Sequence, residues 1–185
     1  MRSWENVSWF ADIALNDRHT VGGKGGSLGE LTRAGIPVPP GFVVRTAAFE
    51  RFLGVLEKQE PIRAQVEGLG AHELEKITAL SGRTRTQLER AALPDDVQAE
   101  ILAAHAQLCG ACPGSPLAVR SSATTEDAED ASFAGLQDTY LWVMGAQATL
   151  HYVRSCWASL YSVPSIAYRR KHGMQENGVA MAVVV

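Results

Sequence analysis

The chain has 185 residues, of which 46% are hydrophobic and 20% charged, and its formal net charge is −3. That balance belongs to a folded domain rather than a disordered chain, and without a basic stripe it gives no electrostatic support for a nucleic-acid partner. No apolar run approaches the roughly 18 residues that a membrane helix needs. The first twenty residues carry charges throughout and hold no apolar core of signal-peptide length, so a cytoplasmic protein of one domain or two small lobes is expected.

In chain order, Val7 to Phe10 reads as a short strand. Val21-Gly-Gly-Lys-Gly-Gly-Ser-Leu-Gly29 then reads as a glycine loop opening a helix, because Leu28, Leu31 and Ala34 recur at helical spacing and Gly35 is a natural stop. Ile36-Pro-Val-Pro-Pro-Gly41 forbids helix and predicts an extended turn before a buried strand at Phe42, Val43 and Val44. Thr46 is placed to cap a helix whose apolar face is Phe49, Phe52, Leu53 and Leu56. From Pro61 to about Cys109 the pattern is helical. Ser81-Gly82 is expected to break the first run, Thr84 with Gln87 to form a capping box, and Pro94 to start a helix bearing Val97, Ile101 and Leu108. This segment carries no recognisable chemistry and reads as a helical insert or cap.

Leu117 to Val119 predicts a short strand that ends at Arg120, followed by a polar, acidic loop from Ser121 to Ser132. Thr139 to Val143 alternates like a strand, and Ala146 to Leu160 is helical with Val153, Trp157 and Leu160 inward. Pro164 opens another helix, which Gly173 ends, and Val179 to Val185 is a β-rich apolar run.

Two stretches carry possible chemistry. Gly22-Gly-Lys24-Gly-Gly-Ser27 combines glycines, which allow close backbone approach, with a cation at a helix start, where phosphate is favoured. It matches neither the P-loop nor the dinucleotide fingerprint, so phosphate binding and a plain tight turn both remain open. Arg120, at a strand end, can grip phosphate oxygens with its guanidinium fork, with Ser121, Ser122, Thr124 and Thr125 as further donors. It can equally pair with Glu126, Asp127, Glu129 or Asp130. Those acidic residues can bind magnesium or simply be solvated. The basic run Arg169 to His172 fits a helix C-terminus.

Cys109, Cys112 and Cys156 are too few, and odd in number, for a disulfide framework. Cys109 and Cys112 form a C-x-x-C with His105 one turn upstream, but no fourth ligand stands at zinc spacing. The pair also lacks the strand-to-helix setting of a thioredoxin-type site, and reads as small residues at a helix end.

Taken together, the blocks are more specific than either alone. Val21-Gly-Gly-Lys-Gly-Gly-Ser-Leu-Gly-Glu-Leu with Gly35-Ile-Pro-Val-Pro-Pro-Gly-Phe-Val-Val resembles the opening of the phosphoenolpyruvate synthase and pyruvate phosphate dikinase family. Ala118-Val-Arg-Ser-Ser-Ala-Thr-Thr-Glu-Asp, Asp130-Ala-Ser-Phe-Ala-Gly-Leu-Gln-Asp-Thr-Tyr-Leu, Cys156-Trp-Ala-Ser-Leu-Tyr and Ala167-Tyr-Arg-Arg-Lys-His-Gly resemble its following blocks. The stretch from about 57 to 114 lies outside the resemblance.

The resemblance implies an α+β, ATP-grasp-type nucleotide-binding lobe over residues 1–185, a mixed sheet with flanking helices and a helical insert, cut before its second half. It implies a phosphotransferase in which ATP phosphorylates a histidine on a separate domain for transfer to pyruvate. Rifampin phosphotransferases share the same opening domain, and a non-catalytic nucleotide- or partner-binding remnant is the contrasting reading. By position, Lys24 would hold the ATP phosphates, Arg120 would stabilise the transferring group, and Gly135 and Thr139 would line the phosphate loop. Leu136 and Trp142 stand where many relatives carry polar residues. Magnesium ligands, the second lobe, the phosphohistidine domain and the pyruvate domain are expected outside this chain, in cis or in trans, and the 185 residues alone are expected to be inactive.

Overall fold

The computed structural model describes residues 4–124 and 138–185. One five-stranded sheet organises it: β1 (Val7–Trp9), β2 (Phe42–Val44), β3 (Leu117–Ala123), β4 (Thr139–Val143) and β5 (Met181–Val184), in the spatial order β1-β2-β5-β3-β4. Its helices are α1 (Arg18–Arg33), α2 (Thr46–Glu57), α3 (Ile62–Glu67), α4 (Leu74–Arg90), α5 (Asp95–Ala111), α6 (Ala146–Ser159) and α7 (Val163–Lys171).

The architecture is α+β, but the expected mixed sheet is not found: every pairing among the described strands is antiparallel. The reason lies in the connections. The Pro-rich segment after α1 carries the chain back to the place where β1 stops, and the Phe10 N–H donates to the Gly41 carbonyl at 3.3 Å. β2 therefore starts beside the end of β1, with Trp9 opposite Phe42, and must run the other way.

Both faces of the central strands β2 and β5 are covered, as side chains that alternate between faces require when every residue is apolar. On one face Val43, Ala182 and Val184 meet Val21 of α1. On the other, Phe42, Val44, Met181 and Val183 join Phe49, Phe52 and Trp157 of α2 and α6. Trp157 stacks on Phe52 with centroids 5.1 Å apart, and its indole N–H donates to the Met181 carbonyl at 3.2 Å. Helices α3 to α5 join this core through Ile62, Ile77, Leu88, Val97 and Ile101.

Several local expectations change. Helix α4 runs unbroken through Ser81 and Gly82, because Ser81 and Thr84 are buried on its inner face and helical packing outweighs a modest propensity cost. Thr46 does not cap α2; its hydroxyl reaches toward the His19 carbonyl at 3.5 Å. Strand β3 continues past Arg120 to Ala123, since Ser121, Ser122 and Ala123 pair with Val183, Ala182 and Met181 of β5. Ser121 and Ser122 are thus buried strand residues and not loop residues. Strand β4 carries one extra residue opposite the Leu117–Val119 step, and Trp142 sits in that irregularity with φ 57° and its side chain exposed.

Two polar interactions hold the layers. The first is at a kink in α1. Gly22 takes φ 70° and ψ 175°, and the regular step from the Gly25 N–H to the Val21 carbonyl is replaced by a side chain from β3. The Ser122 hydroxyl accepts from the Gly25 N–H at 3.1 Å and donates to the Val21 carbonyl at 2.9 Å. A Cβ on Gly22 would lie 2.2 Å from the Ser122 carbonyl oxygen, so only glycine fits. The second concerns the basic run. The run stands in the last turn of α7, where the macrodipole favours cations, and within it Arg169 is fully buried. Its guanidinium donates to Glu176 at 2.8 Å, to the Leu160 carbonyl at 2.7 Å and to the Ser165 hydroxyl at 2.7 Å.

Urea denaturation should therefore separate these sites from ordinary surface positions. Ser122→Ala leaves a buried N–H and a buried carbonyl unsatisfied and should cost about 2 kcal/mol or more. Gly22→Ala should cost more than Ser122→Ala, because the clash is with backbone. Glu176→Ala strands the buried Arg169 charge and should cost roughly 3–5 kcal/mol. Changes below about 0.5 kcal/mol would mean that these contacts do not hold the layers together.

Candidate functional site

The glycine segment does not sit in a loop ahead of a helix. It lies inside α1, at the kink, and docks on β3 through Ser122. Lys24 stands between Gly22 and Gly25 and is half-buried. Arg120 lies in mid-strand and is exposed. Because alternate residues of a strand share a face, Arg120 projects from the same side as Ser122, the side on which α1 packs. Thr139, also exposed, is the direct partner of Arg120 across β3 and β4, so the two side chains leave the same face next to each other.

The structure thus brings Arg120 and Thr139 together and ties the lysine-bearing kink to the strand that carries Arg120. Burial, and then Asp138, push the nearby Cys156 thiol up, while Lys24 acts in the opposite direction. Gly135, with the acidic residues from Glu126 to Asp130, lies outside the described residues.

The hydroxyls after Arg120 have work of their own. Ser122 is consumed by the kink, Ser121 donates to the Asp138 carbonyl at 3.0 Å, and Thr124 donates to the Ala180 carbonyl at 3.3 Å. They position the site rather than serve as free donors. Sequence reasoning also missed Asp138 and Tyr140. The Tyr140 hydroxyl donates to the Asp138 carboxylate at 2.9 Å, and burial together with that bond raises the phenol's pKa. Asp138 so anchors the first turn of β4 beside Thr139, and its only sequence signal was its place one residue before Thr139.

Beside Arg120 the sheet opens into a groove of 390 Å³, walled by Phe10, Leu28, Val38, Leu117 and Val184. An apolar wall with one guanidinium at its edge suits a ligand that is part apolar and part anionic. Among the described residues, no three His, Cys, Asp or Glu side chains gather as a cation site. No described helix is long and apolar enough to cross a membrane.

A probable phosphoenolpyruvate synthase of Methanocaldococcus jannaschii is 40% identical over 185 residues, covering 99% of this chain and 16% of that protein. One from Archaeoglobus fulgidus is 44% identical over 97% of the chain and 24% of its own length. A rifampicin phosphotransferase of Streptomyces sviceus is 44% identical over 89% of the chain and 19% of its own length. The chain thus spans about a fifth of the curated relatives it matches. The family profile described as "Pyruvate phosphate dikinase, AMP/ATP-binding domain" matches residues 18–185, the kink, both site strands and β5 included, and the chain belongs to that family.

Proposed function

We propose that this chain is the first half of an ATP-grasp site in a phosphoenolpyruvate synthase-type phosphotransferase. Lys24 and Arg120 bind the ATP phosphates, and Thr139 and Gly135 line the phosphate loop. The observation that carries the reading is the placement of Arg120 and Thr139 side by side on the face where the lysine-bearing kink docks. In this reading the Arg120 fork neutralises charge on the transferring phosphoryl group, and Lys24 supplies a second cation from another element. The backbone at the kink is fixed by Ser122, so these groups are held before the ligand arrives.

Phosphoryl transfer depends on positioning and on metal ions that neutralise developing charge. We take the magnesium ligands to come from outside this chain, and the phosphoryl group to pass to a histidine of a separate domain and then to pyruvate. The segment 57–114 is taken as a helical insert of the nucleotide-binding half. The 185 residues alone should bind ATP weakly and not turn it over, because the relatives are several times longer. A rifampin-type acceptor is the second reading, favoured by the 44% identity to the Streptomyces protein.

The test uses full-length protein. Lys24→Ala and Arg120→Ala should each weaken ATP binding by roughly 1.5–3 kcal/mol in titration calorimetry, the loss of one charge-assisted contact. Unchanged affinity in both variants would remove the phosphate-binding assignment. Product analysis with pyruvate and with rifampin then separates the acceptors, and no turnover with intact ATP binding would favour a non-catalytic module.

A further inference from the structure

The cysteine pair at the end of α5 plays no part in the nucleotide site, and the structure gives it a setting that its sequence spacing did not. His105, Cys109 and Cys112 occupy successive turns at the C-terminal end of α5. His105 is buried, at 8% exposure, while both sulfur-bearing side chains are partly exposed and both thiols are free. The Cys109 Sγ lies 3.5 Å from His105 Nε2 and 3.9 Å from Nδ1. The similar distances place the sulfur beside the ring, off the axis of either nitrogen. A rotation of the imidazole brings a nitrogen onto the thiol, whose proton it can then take, and the thiolate is the nucleophile of sulfur chemistry.

Cys112 is the residue that ends the helix. Its backbone has left helical geometry, with φ −133° and ψ 71°, while its N–H still donates to the Leu108 carbonyl at 3.0 Å. Residues three apart in a helical turn have Cα atoms within the usual disulfide range of about 4.4–6.8 Å. A side chain at a helix end, followed by Pro113 and Gly114, can rotate to meet its neighbour. In their present rotamers the three groups do not form a metal-binding cluster. Cys156, by contrast, is fully buried in the core.

We propose that Cys109 and Cys112 form a thiol–disulfide site, with His105 as the base and a small-molecule disulfide as the oxidant. The Cys109 proton passes to His105, and the thiolate attacks the small disulfide. This forms a mixed disulfide on Cys109 and releases one thiolate. Cys112, deprotonated by solvent, then attacks the Cys109 sulfur and expels the second thiolate. Two protein thiols are oxidised by two electrons, and one small disulfide is reduced to two thiols.

The experiment treats the reduced 185-residue chain with oxidised glutathione, blocks the remaining thiols at intervals and weighs the tryptic fragments. One fragment, Ala91 to Arg120, carries both cysteines, and another, Ser155 to Arg169, carries Cys156 as an internal control. The first should become lighter by two hydrogens while the second stays reduced. His105→Gln should slow the reaction by about a hundredfold, the lower end for a lost general base. Cys112→Ser should stop at a glutathione adduct on Cys109. A first fragment that reacts no faster than the second would overturn the proposal. So would an adduct that forms on Cys112 first, or a folded His105→Gln chain that reacts at the parent rate. Should His105→Gln not fold, the Cys112→Ser adduct decides alone: its presence on Cys109 supports the site, and its absence removes it.

Discussion

Much of this domain depends on one hydroxyl. Ser122 of β3 replaces a missing step in the hydrogen-bond ladder of α1, accepting from Gly25 and donating to Val21. A side chain inserted into a helical ladder produces a kink with an identifiable cause. The insertion needs the helix backbone to lie against the strand, and Gly22 permits that approach because it has no Cβ to meet the Ser122 carbonyl. Helix, kink and strand are then fixed relative to each other by a polar contact buried away from water, where its bonds are hardest to replace.

The consequences spread outward from that contact. β3 is the strand that carries Arg120, and the kink is the segment that carries Lys24, so one interaction holds two cations from distant parts of the chain in a fixed relation. Thr139 is added by strand register alone, and the network of Ser121, Asp138 and Tyr140 fixes the start of β4. Arg120 and Thr139 are thereby held by neighbours that are themselves fixed, the arrangement that the proposed phosphate site requires.

A second buried polar contact acts on the opposite side of the core. Arg169 and Glu176 are both almost fully buried, and together with Ser165 and the Leu160 carbonyl they join α7 to the turn that leads into β5. A buried ion pair is weak evidence for net stability, yet it constrains geometry, because each partner left alone would be a bare charge in the core. The direction of β5 into the centre of the sheet follows from this turn as much as from the apolar run itself.

The sequence by itself determined where the apolar elements lie, because periodicity records which side of a segment meets water. Phe42 to Val44, the face of α2, Trp157 on α6 and the Val179 to Val185 run all stood out for that reason, and so did the glycine stretch with Lys24 and the Arg120 motif as candidate chemistry. Only the tertiary structure decided partners and directions. Nothing in local patterning shows that the Pro-rich segment returns to the end of β1 and makes the pairing antiparallel, or that β5 extends β3 past Arg120 and draws Ser121 and Ser122 into the sheet. Ser121 and Ser122 looked like loop donors because their residue type usually is. Their burial rests on acceptors 17 and 101 residues away along the chain, and contacts closed over such separations leave no period in a sequence.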